Sequence, residues 1–244
     1  MAVTLNAEQL EQFQRDGYVI LEDVFDAATL QDLDQSLQGF FEQHRQALEA
    51  DGGESGISRA NEILFTDHIA EKAPDIRHFV TRPEFVEIAT QLIGPDVDLY
   101  WNQTVYKQPE GTREFPWHQD DGYTRVNPSP YLTLWLAIND ATLENGCISV
   151  LPGSHHRGFV PHQPSSIGWV CHSSDDPDQG VPVPLKAGSI AAFQSLTMHK
   201  SGANRSQGMR KAYVIQYCAA GTTYLDSGEP VPVDIPLARN GQPA

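Results

Sequence analysis

Phe115-Pro116-Trp117-His118-Gln119-Asp120 sets an imidazole and a carboxylate two residues apart on a stretch that reads as extended chain. Side chains repeat every second residue along a strand, so residues 118 and 120 point to one side. A second histidine folding back beside them would complete two neutral nitrogens and one anionic oxygen. That 2-His-1-carboxylate face holds non-haem Fe(II) and leaves coordination positions open. His199 and Arg210 lie far downstream, and an arginine there offers a planar two-pronged cation to the distal carboxylate of a keto acid. Together these residues point to an oxygen-activating enzyme.

Around this stretch the texture is that of short strands. Residues 98–107, 115–120, 131–139, 147–151, 189–193 and 211–219 are rich in β-branched and aromatic residues. Asn145-Gly146 and Pro152-Gly153 are turn signals between them. Upstream, the pattern is helical. Residues 7–16 carry Leu10 and Phe13 at helical spacing and stop at Gly17, and residues 18–21 read as a short strand. Asp26 is a candidate N-cap for a helix to about residue 49, with Leu30, Leu33, Leu37, Phe40 and Phe41 in one stripe. Residues 51–56 read as a loop, and residues 83–93 form a further helix that Gly94-Pro95 ends.

Helices first and strands after predict a mainly β fold with N-terminal helices, a double-stranded β-helix (jelly roll, cupin-like). One domain is expected over residues 1–244: helical support over 1–96, a jelly-roll core over 97–220, and a tail over 221–244 lying extended on the surface. No flexible linker, internal repeat or low-complexity tract divides it.

The chain has 244 residues, 40% hydrophobic and 20% charged, which is ordinary globular composition, and its net charge is -16. Nucleic acid and anionic membranes reward a basic surface, so neither is an expected partner. No stretch approaches the length of a membrane span. The first residues lack a basic region followed by an apolar run, and three scattered cysteines suit neither a disulfide framework nor a zinc site. A cytoplasmic location is expected. Oligomeric state leaves no signature in the chain.

Of nine histidines, only His118 has an acidic residue two places on. His199 follows a strand and suits the second ligand best, whereas His155, His156, His162 and His172 sit in turns and loops and suit shaping roles. Arg205 and Arg210 compete for the keto-acid carboxylate. Arg205 lies in a polar loop, and Arg210 begins a strand that can aim it inward. Ser201 could share the same carboxylate.

Four ordered blocks then carry a resemblance. Trp117-His118-Gln119-Asp120, residues 135–139 with 143–147, Leu151-Pro152-Gly153-Ser154-His155, and His199-Lys200-Ser201-Gly202-Ala203-Asn204-Arg205-Ser206 through Arg210-Lys211 resemble the phytanoyl-CoA dioxygenase family of Fe(II)/2-oxoglutarate oxygenases. The resemblance implies Fe(II) on His118, Asp120 and His199. It implies 2-oxoglutarate on Arg210 with Ser201, and O2 as the oxidant. Phe115, Gln119 and Trp135 fall where related enzymes line the co-substrate or substrate pocket, and Gln103 is a further candidate. A lysine that some members place on 2-oxoglutarate has no match in the N-terminal half. Asp120 stands where family-like halogenases have a small residue, so the resemblance implies hydroxylation.

The expected substrate is a small or medium-sized metabolite rather than an acyl-CoA, since the chain is short and no Ser-Lys-Leu tail is present. Residues 57–65, 110–113, 123–127 and 157–169 are candidate lids. Lys107, Arg113, Arg125 and Arg157 are a candidate basic patch, and Tyr123 and Trp169 candidate stacking surfaces. Two rivals remain: a non-catalytic jelly-roll metal-binding module, and a cupin-type metal enzyme that does not use 2-oxoglutarate.

Overall fold

A computed structural model describes residues 3–109, 111, 113–172 and 180–244. Helix α1 (Ala7–Asp16) starts on a reciprocal cap in which Asn6 accepts from Gln9 N–H and the Gln9 side chain answers the Asn6 N–H. It ends at Gly17, whose left-handed φ of 81° lets its N–H close back on the Phe13 carbonyl. Helix α2 (Ala27–Ala50) is capped by Asp26, which accepts from Thr29 N–H at 2.8 Å, and buries Leu30, Leu33, Leu37, Phe41 and Leu48. Helix α3 (Pro74–Val80) and helix α4 (Pro83–Ile93) both open on a proline. Gly39 lies exposed on α2 with open space where a Cβ would stand. Gly39→Ala is therefore expected to raise the unfolding free energy by roughly 0.5–1 kcal/mol through helix propensity and chain entropy. Urea titration reads this as a higher midpoint with an unchanged slope.

The strands that matter to the site are β1 (Tyr18–Leu21), β2 (Ile63–Asp67), β3 (Val97–Lys107), β4 (Phe115–His118), β5 (Leu132–Ala137), β6 (Ile148–Val150), β7 (Val181–Val183), β8 (Ile190–Gln194), β9 (His199–Ser201), β10 (Arg210–Ala219) and β11 (Pro236–Arg239). The larger sheet runs β1-β8-β5-β10-β3-β2, with β11 also on β3. The smaller runs β7-β6-β9-β4. All these pairings are antiparallel.

The larger sheet is buried on both faces, which explains its nearly continuous apolar runs. On β10, Tyr213, Ile215 and Tyr217 join the helices in one core, while Ala212 and Val214 join Phe115, Trp135, Ile148 and Phe193 between the sheets. On β5, Leu132, Leu134 and Leu136 face the helices and Trp135 and Ala137 face the smaller sheet. Two antiparallel sheets sharing that interior are the expected jelly roll.

Residues 1–96 do more than support it. β1 forms one edge of the larger sheet, and β2, with the short pair Ser58–Arg59 and Glu54–Ser55, forms the other. Alternation explains β2: Leu64 enters the helical core, and Ile63 and Phe65 enter the space between sheets. Residues 221–244 likewise do not merely lie on the surface, because β11 pairs with β3 and Val231, Ile235, Leu237 and Ala238 are buried. The strand expected over 115–120 stops at His118. Asp120 opens a 3-10 turn, in which Gly122 N–H reaches the Gln119 carbonyl.

Candidate active site

His118 ends β4 and His199 begins β9, and the register sets them directly opposite one another, with ring centroids 4.1 Å apart. The turn at Asp120 brings its Oδ1 to 3.8 Å from His118 Nε2 and 3.6 Å from His199 Nε2. The three ligand atoms lie within 4.8 Å of one another, the single such group of metal-ligating side chains among the described residues.

Each of these three side chains is oriented by a second contact. His118 Nδ1 meets the Pro116 carbonyl at 2.8 Å, and His199 Nδ1 meets the Thr197 carbonyl at 3.0 Å. A carbonyl can only accept, so each Nδ1 carries the proton and each Nε2 is left as a free lone pair. Asp120 Oδ2 accepts from Thr133 Oγ1 at 2.6 Å and Gln216 Nε2 at 3.0 Å, leaving Oδ1 for a metal. Burial pushes the imidazoles down, His118 to about 3 and His199 to about 4, so both are neutral near pH 7, the form a metal ion needs. Burial also raises the Asp120 carboxyl against the pull of His118, Thr133 and Gln216. Thr133 and Gln216 escaped the sequence reading, although their signal was present. Each shares strand parity with an inward residue, Trp135 and Val214. Thr133→Val is expected to weaken divalent-metal affinity by roughly ten-fold, because a mis-set carboxylate binds less well. Titration with Fe(II) under nitrogen checks it.

A cavity of about 50 Å³ runs inward from the triad, lined by Phe115, Trp135, Gln103, Ser201 and Val214 among others. Arg210, fully buried, lies on the same face of β10 as Val214, with its guanidinium carbon 5.0 Å from the centre of the Trp135 ring. Ala137 and Ala212, paired across β5 and β10, are small enough to let it fold back toward that ring. Among the described residues, none of its Nε, Nη1 or Nη2 atoms has a hydrogen-bond partner. Burial lowers its pKa to about 9, so it remains a cation at neutral pH. An unpaired buried cation is costly, and an anionic ligand in the adjoining cavity would relieve it.

Of the residues expected here, His118, Asp120, His199, Ser201, Phe115, Trp135 and Gln103 come together around this one cavity, with Arg210 behind Trp135. Gln119 does not. Strand parity turns it away, and its side chain bonds the Gly158 and Leu196 carbonyls and the Val160 N–H. The candidate basic patch does not form. Lys107 is buried against the Ser201 and Gly202 carbonyls, Arg113 pairs with Glu62, and Arg125 lies over the Phe159 ring. Burial and the neighbouring Arg210 hold the Lys107 ammonium well below its usual range. A second, larger cavity of about 470 Å³ opens from His118 and Asp120; Tyr123 lines it, whereas Trp169 lines neither. Of the lid expected at 110–113, residues 110 and 112 lie outside the described residues. His155, His156 and His162 reach the Gln14, Arg15 and Val160 carbonyls, in keeping with shaping roles.

The family described as phytanoyl-CoA dioxygenase (PhyH) matches residues 13–212. The chain belongs to the phytanoyl-CoA dioxygenase family. This dioxygenase is 28% identical to the ectoine dioxygenase of Sphingopyxis alaskensis, over 98% of this chain and 85% of that protein. It is 24% identical to the peroxisomal phytanoyl-CoA dioxygenase of Bos taurus, over 91% and 71%. Among solved structures, the non-haem alpha-ketoglutarate-dependent carbocyclase SnoK of nogalamycin biosynthesis superposes with a TM-score of 0.77 at 26% identity, covering 98% of this chain and 100% of that one. EvdO2 of Micromonospora carbonacea, solved with 2-oxoglutarate, shares the fold at a TM-score of 0.71 and 22% identity. The dioxygenase is thus an oxidoreductase with the jelly-roll fold of this family. No helix among the described residues is long and apolar enough to cross a membrane.

Proposed function

We propose that this dioxygenase uses Fe(II), 2-oxoglutarate and O2 to hydroxylate a small or medium-sized metabolite, releasing succinate and CO2. The observation that carries the reading is Arg210: a buried guanidinium without a partner among the described residues, beside a narrow cavity that leads to two imidazoles and a carboxylate. A non-catalytic module, or a metal enzyme without a keto-acid co-substrate, leaves that cation unexplained.

In this reading His118, Asp120 and His199 hold the iron, and the donor set fits Fe(II). Bound iron with 2-oxoglutarate supplies the oxidising chemistry. The residues of the chain hold and orient. Arg210 would meet the far carboxylate of 2-oxoglutarate with two parallel hydrogen bonds, and Ser201 would add a hydroxyl. Trp135, Val105 and Phe115 keep that diacid dry, which strengthens each charge contact. Thr133 and Gln216 fix the Asp120 carboxylate, and the carboxylate at this position favours hydroxylation as the outcome. We take residues 1–244 as one functional unit, because Phe65, Gln103 and Ile235, from all three expected parts, wall the same larger cavity. Three free cysteines are in keeping with a reducing cytoplasm.

The test is succinate formation by the purified protein. It is expected only when Fe(II), O2 and 2-oxoglutarate are all present, slow without substrate and faster with a matching metabolite. Failure of iron-loaded protein to form succinate with any member of a broad metabolite panel overturns the proposal.

A further inference from the structure

The larger cavity, about 470 Å³, opens from His118 and Asp120 and is of a size that takes a drug-sized molecule. Its occupant would lie against the metal-binding face, so the chemistry of its walls bears on the substrate. Two features of those walls go beyond what family membership says.

The first is a bulge. Along β3 and β10, Gln216 pairs with Trp101 and Tyr217 with Leu99, which leaves Tyr100 as the extra residue. A bulge re-aims side chains that strict alternation would turn away. Here Leu99, Tyr100 and Trp101 all reach the cavity. Tyr100 packs on Tyr131 with centroids 4.8 Å apart, and the His68 and Trp101 rings meet edge-on at 4.2 Å. The wall is a set of fixed aromatic surfaces.

The second is charge. Glu71 and Asp234 line the same cavity, and no lysine or arginine does among the described residues. Glu71 is held in place. Both its oxygens accept from Asn102 Nδ2, at 3.1 and 2.9 Å, and Asn102 Oδ1 in turn accepts from the Ile69 and Ala70 N–H groups and the Tyr213 hydroxyl. His68 Nδ1 lies 3.3 Å from Glu71. Asp234 is exposed, and the nearby Arg77 donates to its main-chain carbonyl at 2.6 Å. Neither carboxylate is ion-paired to a lysine or arginine among the described residues. An anionic group entering here meets these two carboxylates and no lysine or arginine of the lining, in a chain of net charge -16. A cationic group meets carboxylates and aromatic faces together, and both attract it.

We propose that the substrate is a cationic, ring-bearing small molecule. Its ring rests on the Tyr100–Trp101–Tyr131 wall, and its amine or amidine is met by Glu71 with Asp234. This rests on the reading of the site as an oxygenase, and it excludes polyphosphorylated substrates such as acyl-CoA thioesters.

The experiment compares three probes that share one ring and differ in charge: tryptamine (cation), tryptophol (neutral) and indole-3-acetate (anion). Each is titrated calorimetrically into the full chain with Fe(II) and 2-oxoglutarate under nitrogen. Tryptamine is expected to bind on the order of ten times more tightly than tryptophol, the equivalent of one charge-assisted hydrogen bond. Indole-3-acetate is expected to bind more weakly still. Glu71→Gln, which keeps an acceptor for Asn102, and the exposed Asp234→Asn should each narrow the gap. Indole-3-acetate binding as tightly as tryptamine overturns the proposal. So does an amine preference unchanged in the double variant, or no binding of any probe at millimolar concentration. Pairing these titrations with the aerobic succinate assay, run with and without iron, separates the two readings. An amine preference without iron-dependent succinate keeps the cation site and sinks the oxygenase, and succinate without the preference does the reverse.

Discussion

Arg210→Met is expected to lower 2-oxoglutarate affinity by about a hundred-fold or more while making the protein more stable. The loss follows from removing both prongs of a charge-assisted pair in a dry cavity, on the order of 3 kcal/mol. The gain concerns the ligand-free protein. Without a ligand, the guanidinium is fully buried with all three nitrogens unpartnered among the described residues, and its cross-strand neighbour is a second buried basic group, Lys107. Replacing such a group with an apolar side chain of similar length commonly stabilises by roughly 1–4 kcal/mol. Urea melts of the ligand-free proteins and calorimetric titration with 2-oxoglutarate give the two numbers. Parallel losses in both would mean that Arg210 is a structural residue. Opposite signs mark a residue kept for its ligand at the expense of the fold.

Gly146→Ala is expected to be among the most damaging single-methyl changes. Gly146 has a φ of 81°, and a Cβ there would overlap the Gly202 carbonyl oxygen and stand 2.8 Å from the Gly202 carbonyl carbon. Both obstacles are backbone, and Gly202 N–H is itself bonded to the Cys147 carbonyl at 3.2 Å, so neither side can move cheaply. Left-handed strain and overpacking together predict a loss of about 3 kcal/mol. The displaced segment is the one after Ser201, whose carbonyls hold Lys107. Any variant that folds should therefore also bind 2-oxoglutarate less well. A midpoint within error of the parent in urea would contradict this account of the turn.

Much of this arrangement was legible in the chain, and the exceptions have physical causes. The limits of α1, α2 and α4 follow from residues that act locally: Asn6 and Asp26 as caps, Gly17 and Gly94 as stops. The inward aim of Arg210 follows from strand parity alone. β2 was hidden because Ile63, Leu64 and Phe65 are a short apolar run between polar flanks, and only pairing with β3 makes them a strand. Helix α3 was hidden for a similar reason, its seven residues being stabilised by burying Ile76, Phe79 and Val80. Lys107 reads as a surface charge by type, and its burial depends on carbonyls 94 and 95 residues away. Gln119 sits between two metal-ligand positions in sequence, and the same alternation that joins His118 to Asp120 sends it the other way. The bulge at Tyr100 carries no local signal, since one residue without a cross-strand partner is a property of the pair of strands. Long-range pairing, rather than weak local preference, separates what could be read from what could not.

The central claim is that His118, Asp120 and His199 hold iron while Arg210 holds 2-oxoglutarate beside it. The most direct measurement is anaerobic titration of the metal-free protein with Fe(II) and then 2-oxoglutarate, followed by visible absorption. Chelation of the iron by the keto acid should give a charge-transfer band that saturates at one equivalent of iron, is absent in His118→Ala, and needs far more 2-oxoglutarate in Arg210→Met. A folded, iron-loaded parent protein that shows no such band at saturating 2-oxoglutarate would contradict the claim.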